Sequence, residues 1–162
     1  MDKVQHTLSP VFNERSRILI LGTMPSPKSR EVGFYYGHPQ NRFWRVTAAV
    51  LNTAVPQTNS EKQAFLLDQH IALWDVLQQC EIEGADDSSI RKPVANDFSR
   101  IFSTADIRQV FTTGAAATKL YTKLAACAVE YPAFYLPSTS PANCRVSFEA
   151  MVKEYSVIKK YL

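Results

Sequence analysis

Short apolar runs alternate along the chain with stretches in which apolar residues recur three or four positions apart. A run of four or five apolar residues is typical of a buried strand, and the wider spacing is typical of one helix face. The runs predict strands at residues 18–21, 71–74, 110–113 and 133–136. The spaced stretches predict helices at residues 41–51, 61–69, 96–104, 115–126 and 145–155. This order predicts an α/β fold, in which helices cover both faces of a parallel sheet.

The segments between these elements are polar. Residues 83–91 predict a loop, residues 137–143 predict a second loop rich in Ser and Pro, and Asn96 is a candidate cap for the helix that follows it. The chain shows no repeat, low-complexity tract or linker. We therefore expect its 162 residues to form one domain, spanning residues 1–162.

Composition narrows the class of protein without identifying it. Hydrophobic residues make up 46% and charged residues 20%, no apolar run is long enough to span a bilayer, and the first residues lack a signal-peptide pattern, so we expect a cytoplasmic protein. The three cysteines, Cys80, Cys127 and Cys144, form no CxxC motif, so we expect no zinc or iron–sulfur site, and no motif in the sequence indicates another cofactor. A net charge of +3 permits nucleic acid as a partner, and no apolar seam indicates anything other than a monomer.

The segment from residue 22 to residue 44 holds the most informative pattern. It begins at Gly22, where a buried strand ends, and ligands of parallel α/β folds bind outside the carboxyl ends of strands. Residues 113–114 and 137–143 fall at two further strand ends. Asp75 follows a fourth strand, where it could join a site or cap a helix.

Three aromatic residues follow in the same segment. Alternation predicts that Phe34 and Tyr36 face one way and Tyr35 the other, and we interpret Phe34 as a packing residue and Tyr36 as a surface on which a base could stack. His38 could act as a general acid or base, although a lone histidine in a loop more often makes a structural hydrogen bond.

Asn41 lies at the predicted start of a helix. Its spacing favours a helix cap, and the alternative is an amide that orients a water molecule or holds the edge of a base. Arg42 and Arg45 lie in the first turns, where the helix dipole disfavours cations, so they indicate either a nearby phosphate or solvated surface arginines. The Ser/Pro loop, with Ser138, could likewise donate to a DNA backbone or cap the next helix.

Three motifs resemble those of the uracil-DNA glycosylase superfamily in their order, their spacing and their positions relative to the predicted strands. GTMPS stands at the position of its first motif, LPSTSPAN at that of its second, and GHPQNRFW is similar to a segment shared by mismatch-specific uracil/thymine and hypoxanthine-DNA glycosylases. The whole segment from residue 22 to residue 44, taken together with STSPAN, is most similar to the hypoxanthine-DNA glycosylases. The resemblance implies a three-layer α/β/α sandwich with a mostly parallel four-stranded sheet. It also implies metal-free hydrolysis of the N-glycosidic bond of a damaged base in double-stranded DNA.

The resemblance also implies roles for individual residues. Asn41 would be catalytic. The residues implied to bind the base are Gly22, Thr23, Met24, Pro25, Tyr36 and Ser138. Those implied to contact the DNA backbone or fill the gap in the duplex are Ser26, Arg42, Ser140, Pro141 and Asn143.

One departure from the superfamily affects the expected chemistry. Many relatives carry a carboxylate or amide in the first motif, and neither Thr23 nor Met24 can replace a carboxylate. We therefore expect modest turnover with a flat pH dependence near neutrality. Three alternatives remain open: a glycosylase for mismatched uracil or thymine, a non-catalytic nucleic-acid-binding module, and an α/β domain that binds a small nucleotide.

Overall fold

The computed structural model describes residues 1–162 and contains seven strands and six α-helices. The strands are β1 (Asp2–Gln5), β2 (Ile18–Gly22), β3 (Ile71–Asp75), β4 (Leu77–Glu83), β5 (Asp86–Ala95), β6 (Gln109–Thr113) and β7 (Ala133–Leu136). The helices are α1 (Pro27–Val32), α2 (Phe43–Leu51), α3 (Asn59–Asp68), α4 (Ser99–Thr104), α5 (Ala115–Leu124) and α6 (Phe148–Tyr155), and a 3-10 helix (Ser156–Tyr161) follows.

Four strands form a parallel sheet in the order β3-β2-β6-β7, which confirms the predicted fold class. Every residue of β2 is buried, as expected for a central strand covered on both faces. Ile18 pairs with Ile71 and Gln109, and Gly22 pairs with Asp75. The carboxyl ends of these strands therefore meet at one edge of the sheet.

Alternate residues of β2 divide the interior into two cores. Ile18 and Ile20 pack with residues of α2, α3 and α6, whereas Leu19 and Leu21 pack with residues of α4, α5 and β4. Full burial of each aliphatic side chain contributes about 1.5–3 kcal/mol, so this strand alone anchors both outer layers. Helices consequently cover both faces of the sheet.

A second, antiparallel sheet in the order β1-β4-β5 packs on one side of the parallel sheet. The loop predicted at residues 83–91 is wrong, because most of this segment belongs to the β4–β5 hairpin, which turns at Gly84 with φ of +59°. The strand pattern was hidden because most side chains of β5 are exposed and its pairing with β4 is irregular.

Several helix ends differ from the prediction. Ser26 and Pro27 start the short helix α1 between residues 22 and 40, where the sequence predicts no helix, and the predicted helix at 145–155 begins at Phe148. The prediction that Asn96 caps a helix is wrong: α4 begins three residues later, and the buried Asn96 amide donates to the carbonyls of Asp75 and Leu77. None of the helices combines the length and apolar character that crossing a bilayer requires.

Candidate active site

A cavity of about 330 Å³ opens at the carboxyl edge of the parallel sheet, within the size range of small-molecule pockets. Most residues implied by the motifs line it: Gly22, Thr23, Met24, Pro25, Ser26, Tyr36, Asn41, Ser138, Ser140 and Pro141. Arg42 and Asn143 do not line it. The topology thus brings together segments that lie far apart in the sequence.

The first motif contributes two unbonded backbone N–H groups to the residues that line this pocket. Thr23 and Met24 both line it, and their N–H groups make no hydrogen bond within the protein, because β2 ends at Gly22. The Thr23 hydroxyl instead donates to Oδ2 of Asp87 at 3.2 Å. Free N–H groups at a pocket wall suit a ligand that carries carbonyl oxygens.

Ser26 has a structural function besides its place in the pocket wall. Its Oγ accepts a hydrogen bond from the Ser29 N–H at 3.1 Å and so caps α1, while Pro27 occupies the first helical turn. Because the hydroxyl also donates to Ser29 Oγ at 3.1 Å, Ser26 is engaged inside the protein.

The expected alternation of the three aromatic residues is wrong, because this segment is a turn and not a strand. Tyr36 has a φ of +52°, in the left-handed region. Phe34 packs on Trp44 in the core, as expected, with ring centroids 5.9 Å apart. Tyr35 is also buried, yet it lines the pocket and its hydroxyl donates to the Ser9 carbonyl at 2.7 Å.

The ring of Tyr36 is fixed at two points. One face stacks on Phe43 at a centroid distance of 4.1 Å, and its hydroxyl lies 3.1 Å from Oγ1 of Thr113. Burial raises the pKa of this phenol, the negative charge of Asp75 raises it further, and the bond to Thr113 opposes the shift. Phe43 thus covers one face of the Tyr36 ring and leaves the opposite face without an aromatic contact.

Asn41 lies one residue before the N-cap of α2, which is Arg42 and has no side-chain cap bond, so the predicted cap at Asn41 is wrong in position. Its Oδ1 accepts from the Phe43 N–H at 2.9 Å, which satisfies one orphan donor of the first helical turn. Its Nδ2 makes no hydrogen bond within the protein, and Asn41 lines the pocket. The bond to the Phe43 N–H therefore fixes the orientation of the amide and leaves the NH₂ group as a donor.

Arg42 holds the Ser/Pro loop to the start of α2. Its guanidinium donates to the carbonyls of Val146 at 2.7 Å and Asn143 at 2.9 Å, and its backbone N–H donates to the Thr139 carbonyl at 3.1 Å. These contacts give Arg42 a buttressing function within the protein. Arg45, by contrast, is exposed and forms no ion pair.

The Ser/Pro loop is further closed by its own side chains. Ser138 Oγ accepts from the Ser140 N–H at 3.2 Å, and Asn143 Nδ2 donates to the Ser138 carbonyl at 2.8 Å. Gly114, with a φ of +96°, lies against this loop, where an added Cβ would come within 3.3 Å of Ser138. The loop thus has a defined shape at the rim of the pocket.

The structure adds lining residues that the motifs did not indicate, including Tyr35, Thr113, Thr139 and two aspartates. Asp75 was marked only by its position after a strand, and no sequence signal marked Asp87. Asp87 lies on the exposed hairpin, but its carboxyl group lies against the pocket, where lost hydration raises its pKa, the Thr23 hydroxyl lowers it and Asp75 raises it. Thr139 was hidden between two serines of the second motif.

His38 lies at the exposed rim, and its Nδ1 accepts from the Gln40 N–H at 3.1 Å, the structural bond expected of a lone loop histidine.

No group of three or more His, Cys, Asp or Glu side chains is arranged to hold a metal ion, and all three cysteines are free. The site thus offers amide, hydroxyl and carboxylate groups. Together with the sheet topology, it defines an α/β protein whose ligand binds at the carboxyl ends of parallel strands.

Comparison with known proteins identifies the family. A model of the uracil DNA glycosylase superfamily matches residues 9–159. A hypoxanthine DNA glycosylase of Methanosarcina acetivorans is 34% identical over 139 residues, 85% of this chain and 87% of the relative. A hypoxanthine DNA glycosylase of Methanosarcina barkeri is 36% identical over 91 residues, 56% of this chain and 58% of the relative.

A solved structure agrees with these matches. It is a solution NMR structure of a proposed uracil DNA glycosylase from Methanosarcina acetivorans, with 30% identity and a TM-score of 0.79 over 96% of this chain and 98% of that one. The protein therefore belongs to the uracil DNA glycosylase superfamily.

Proposed function

We propose that the protein is a monofunctional DNA glycosylase that removes a deaminated base from double-stranded DNA, with hypoxanthine as its preferred substrate. Family membership supports the class of activity, and two relatives named hypoxanthine DNA glycosylase support the substrate. The observation that carries the proposal is the Asn41 amide, whose oxygen is held by the Phe43 N–H and whose NH₂ group is free at the pocket.

Base flipping would place the target nucleotide in the cavity, at a cost of a few kcal/mol that is lower for a mispaired base. One face of the base would stack on Tyr36, whose own opposite face is covered by Phe43. Ser138 and Ser140 at the rim would face the DNA backbone beside the lesion. The closed Ser/Pro loop, ending near Pro141 and Asn143, would fill the gap that the flipped base leaves.

Donors in the pocket favour a deaminated base over its parent. Deamination replaces an exocyclic amino group with a carbonyl, so a hydrogen-bond donor becomes an acceptor. The free N–H groups of Thr23 and Met24 and the amide of Asn41 would pair with a carbonyl and repel an amino group. The same donors would stabilise negative charge on the leaving base as the glycosidic bond breaks.

The absence of a lysine from the pocket wall supports hydrolysis without a lyase step, since a Schiff base requires an amine. Strand breaks at the lesion are therefore expected only after alkali treatment. The experiment uses end-labelled duplexes that carry inosine, uracil, xanthine or mismatched thymine, with and without alkali.

Alkali-dependent breaks that are fastest with inosine support the proposal. Faster cleavage of uracil or mismatched thymine would assign the alternative specificity within the family. Binding of lesion DNA without release of free base would assign a non-catalytic module, and failure to bind or cleave any duplex would contradict the proposal.

A further inference from the structure

An aspartate from the neighbouring strand lies beside the first motif. Asp75 ends β3 and pairs in register with Gly22, the last residue of β2. A Cβ added to Gly22 would lie 2.6 Å from Oδ1 of Asp75, 3.0 Å from the Tyr36 hydroxyl and 3.7 Å from Oγ1 of Thr113. Three polar atoms thus converge on one point of the pocket, and only glycine leaves room for them.

The Asp75 carboxylate is held from behind. Its Oδ2 lies 2.8 Å from Nε2 of His6, and the exposed fractions of the two side chains are 2% for His6 and 6% for Asp75. His6 follows β1 and packs edge-on against Trp74 and tilted against Tyr35. The second oxygen, Oδ1, makes no hydrogen bond within the protein, and Asp75 lines the pocket.

This arrangement suits a reaction in which positive charge develops on the sugar. Rupture of an N-glycosidic bond passes through an oxocarbenium-like state, which a carboxylate in a water-poor pocket stabilises. A carboxylate with one oxygen fixed by histidine and one oxygen free can also accept a proton from a water molecule. No side chain of the GTMPS motif offers such a group.

We propose that Asp75 is a catalytic residue that orients and deprotonates the attacking water, and that His6 is the residue that positions it. This inference rests on the glycosylase function proposed above. In the step, the bond between C1′ and the base nitrogen breaks and its electron pair leaves with the base. The water oxygen forms the new bond to C1′, Asp75 takes the proton that the water loses, and the departing base takes a proton from solvent.

The two proposed catalytic residues then act on different groups, one on the leaving base and the other on the attacking water. The NH₂ group of Asn41 acts on the leaving base, because its oxygen is occupied by the Phe43 N–H. Asp75 acts on the nucleophile. The carboxylate that many relatives carry in the first motif is thereby supplied from the adjacent strand.

The test compares Asp75→Asn with Asp68→Asn, the same change at the exposed end of α3, near the opposite edge of the sheet. Single-turnover excision of the lesion base and affinity for an uncleavable analogue duplex are measured for each variant. We expect Asp75→Asn to lower the excision rate by about 10²- to 10⁴-fold, the usual contribution of a general base, with affinity within about threefold of wild type. Asp68→Asn should match wild type in both.

A second pair of variants covers the possibility that Asp75→Asn does not fold. His6→Gln places an amide donor where Nε2 lies and should keep most of the rate, whereas His6→Leu removes the donor and should lower the rate at unchanged affinity. A wild-type rate in folded Asp75→Asn, or equal rates in both His6 variants, would overturn the inference and leave the glycosylase function intact. Wild-type protein that releases no base from any lesion duplex would overturn both.

Discussion

Asn41 combines a structural contact and a proposed chemical one, and two substitutions separate them. Asn41→Ala removes both the oxygen that accepts from the Phe43 N–H and the free NH₂ group. Asn41→Asp keeps the oxygen and replaces the donor with a carboxylate. Loss of a hydrogen bond to an N–H of the first helical turn costs about 1 kcal/mol, which corresponds to a fall of roughly 2–4 °C in the melting temperature of a chain of this size.

Asn41→Asp should melt at or slightly above the wild-type temperature, because a negative charge beside the first turn of α2 adds about 0.3–1 kcal/mol. Excision should behave differently. If the NH₂ group stabilises the leaving base, its loss removes about 2.7–4 kcal/mol of transition-state stabilisation, and both variants should cleave inosine duplexes at least about 100-fold more slowly.

Thermal melts and single-turnover excision measured on the same samples provide the test. Thr58→Ala is the control, because it removes the capping box of α3 away from the pocket and should cost similar stability with an unchanged rate. An Asn41→Asp variant that cleaves like wild type would refute the chemical assignment. An Asn41→Asp variant that melts as low as Asn41→Ala would refute the stabilising contact with the Phe43 N–H.

Three further predictions concern the pocket and the core. Gly22→Ala should abolish excision and cost about 1–3 kcal/mol, because its methyl group would lie 2.6 Å from Asp75 Oδ1; an unchanged urea midpoint and rate would contradict this. Tyr36→Leu should weaken lesion binding by about 5- to 150-fold through the lost stacking, whereas Tyr36→Phe should bind within about threefold of wild type. If fluorescence anisotropy gives the Leu and Phe variants equal affinities for lesion DNA, stacking on Tyr36 is excluded. The free energy of unfolding should stay level from pH 7 to about 9 and fall above about pH 10, because burial raises the pKa of four tyrosines in the folded state and the unfolded state loses those protons first. These tyrosines are Tyr35, Tyr36, Tyr121 and Tyr155. Urea midpoints that are the same at pH 7 and pH 10.5 would contradict the expected loss of stability at high pH.

The parallel sheet could be predicted because its signal is local. Burial of β2 on both faces requires a continuous apolar run, and that run is visible in the sequence. The positions of Gly22 and the Ser/Pro loop at strand ends followed from the same runs. The antiparallel sheet gave no such signal, because β5 is largely exposed and pairs with β4 through irregular register.

The pairing of Asp75 with His6 at the pocket could not be predicted from the sequence, for a different reason. The significance of Asp75 depends on the register between β2 and β3 and on a histidine 69 positions away in the chain. Neither is a local pattern. The turn at Asn41, by contrast, is local. The sequence predicts a helix cap there, and the structure has Arg42 at the N-cap position with the Asn41 side chain accepting from the Phe43 N–H, because α2 begins two residues later than predicted.

The contacts of Arg42 have a consequence for the order of events on DNA. This residue directly follows Asn41 and joins the start of α2 to the Ser/Pro loop through hydrogen bonds to Thr139 and Asn143, and to Val146 just beyond the loop. Under the proposed function, the loop that fills the gap in the duplex and the amide that acts on the base are therefore held in one fixed arrangement before DNA binds. A duplex that accommodates the loop then also sets the distance between the flipped base and the amide, so loop contacts far from the base can change the excision rate.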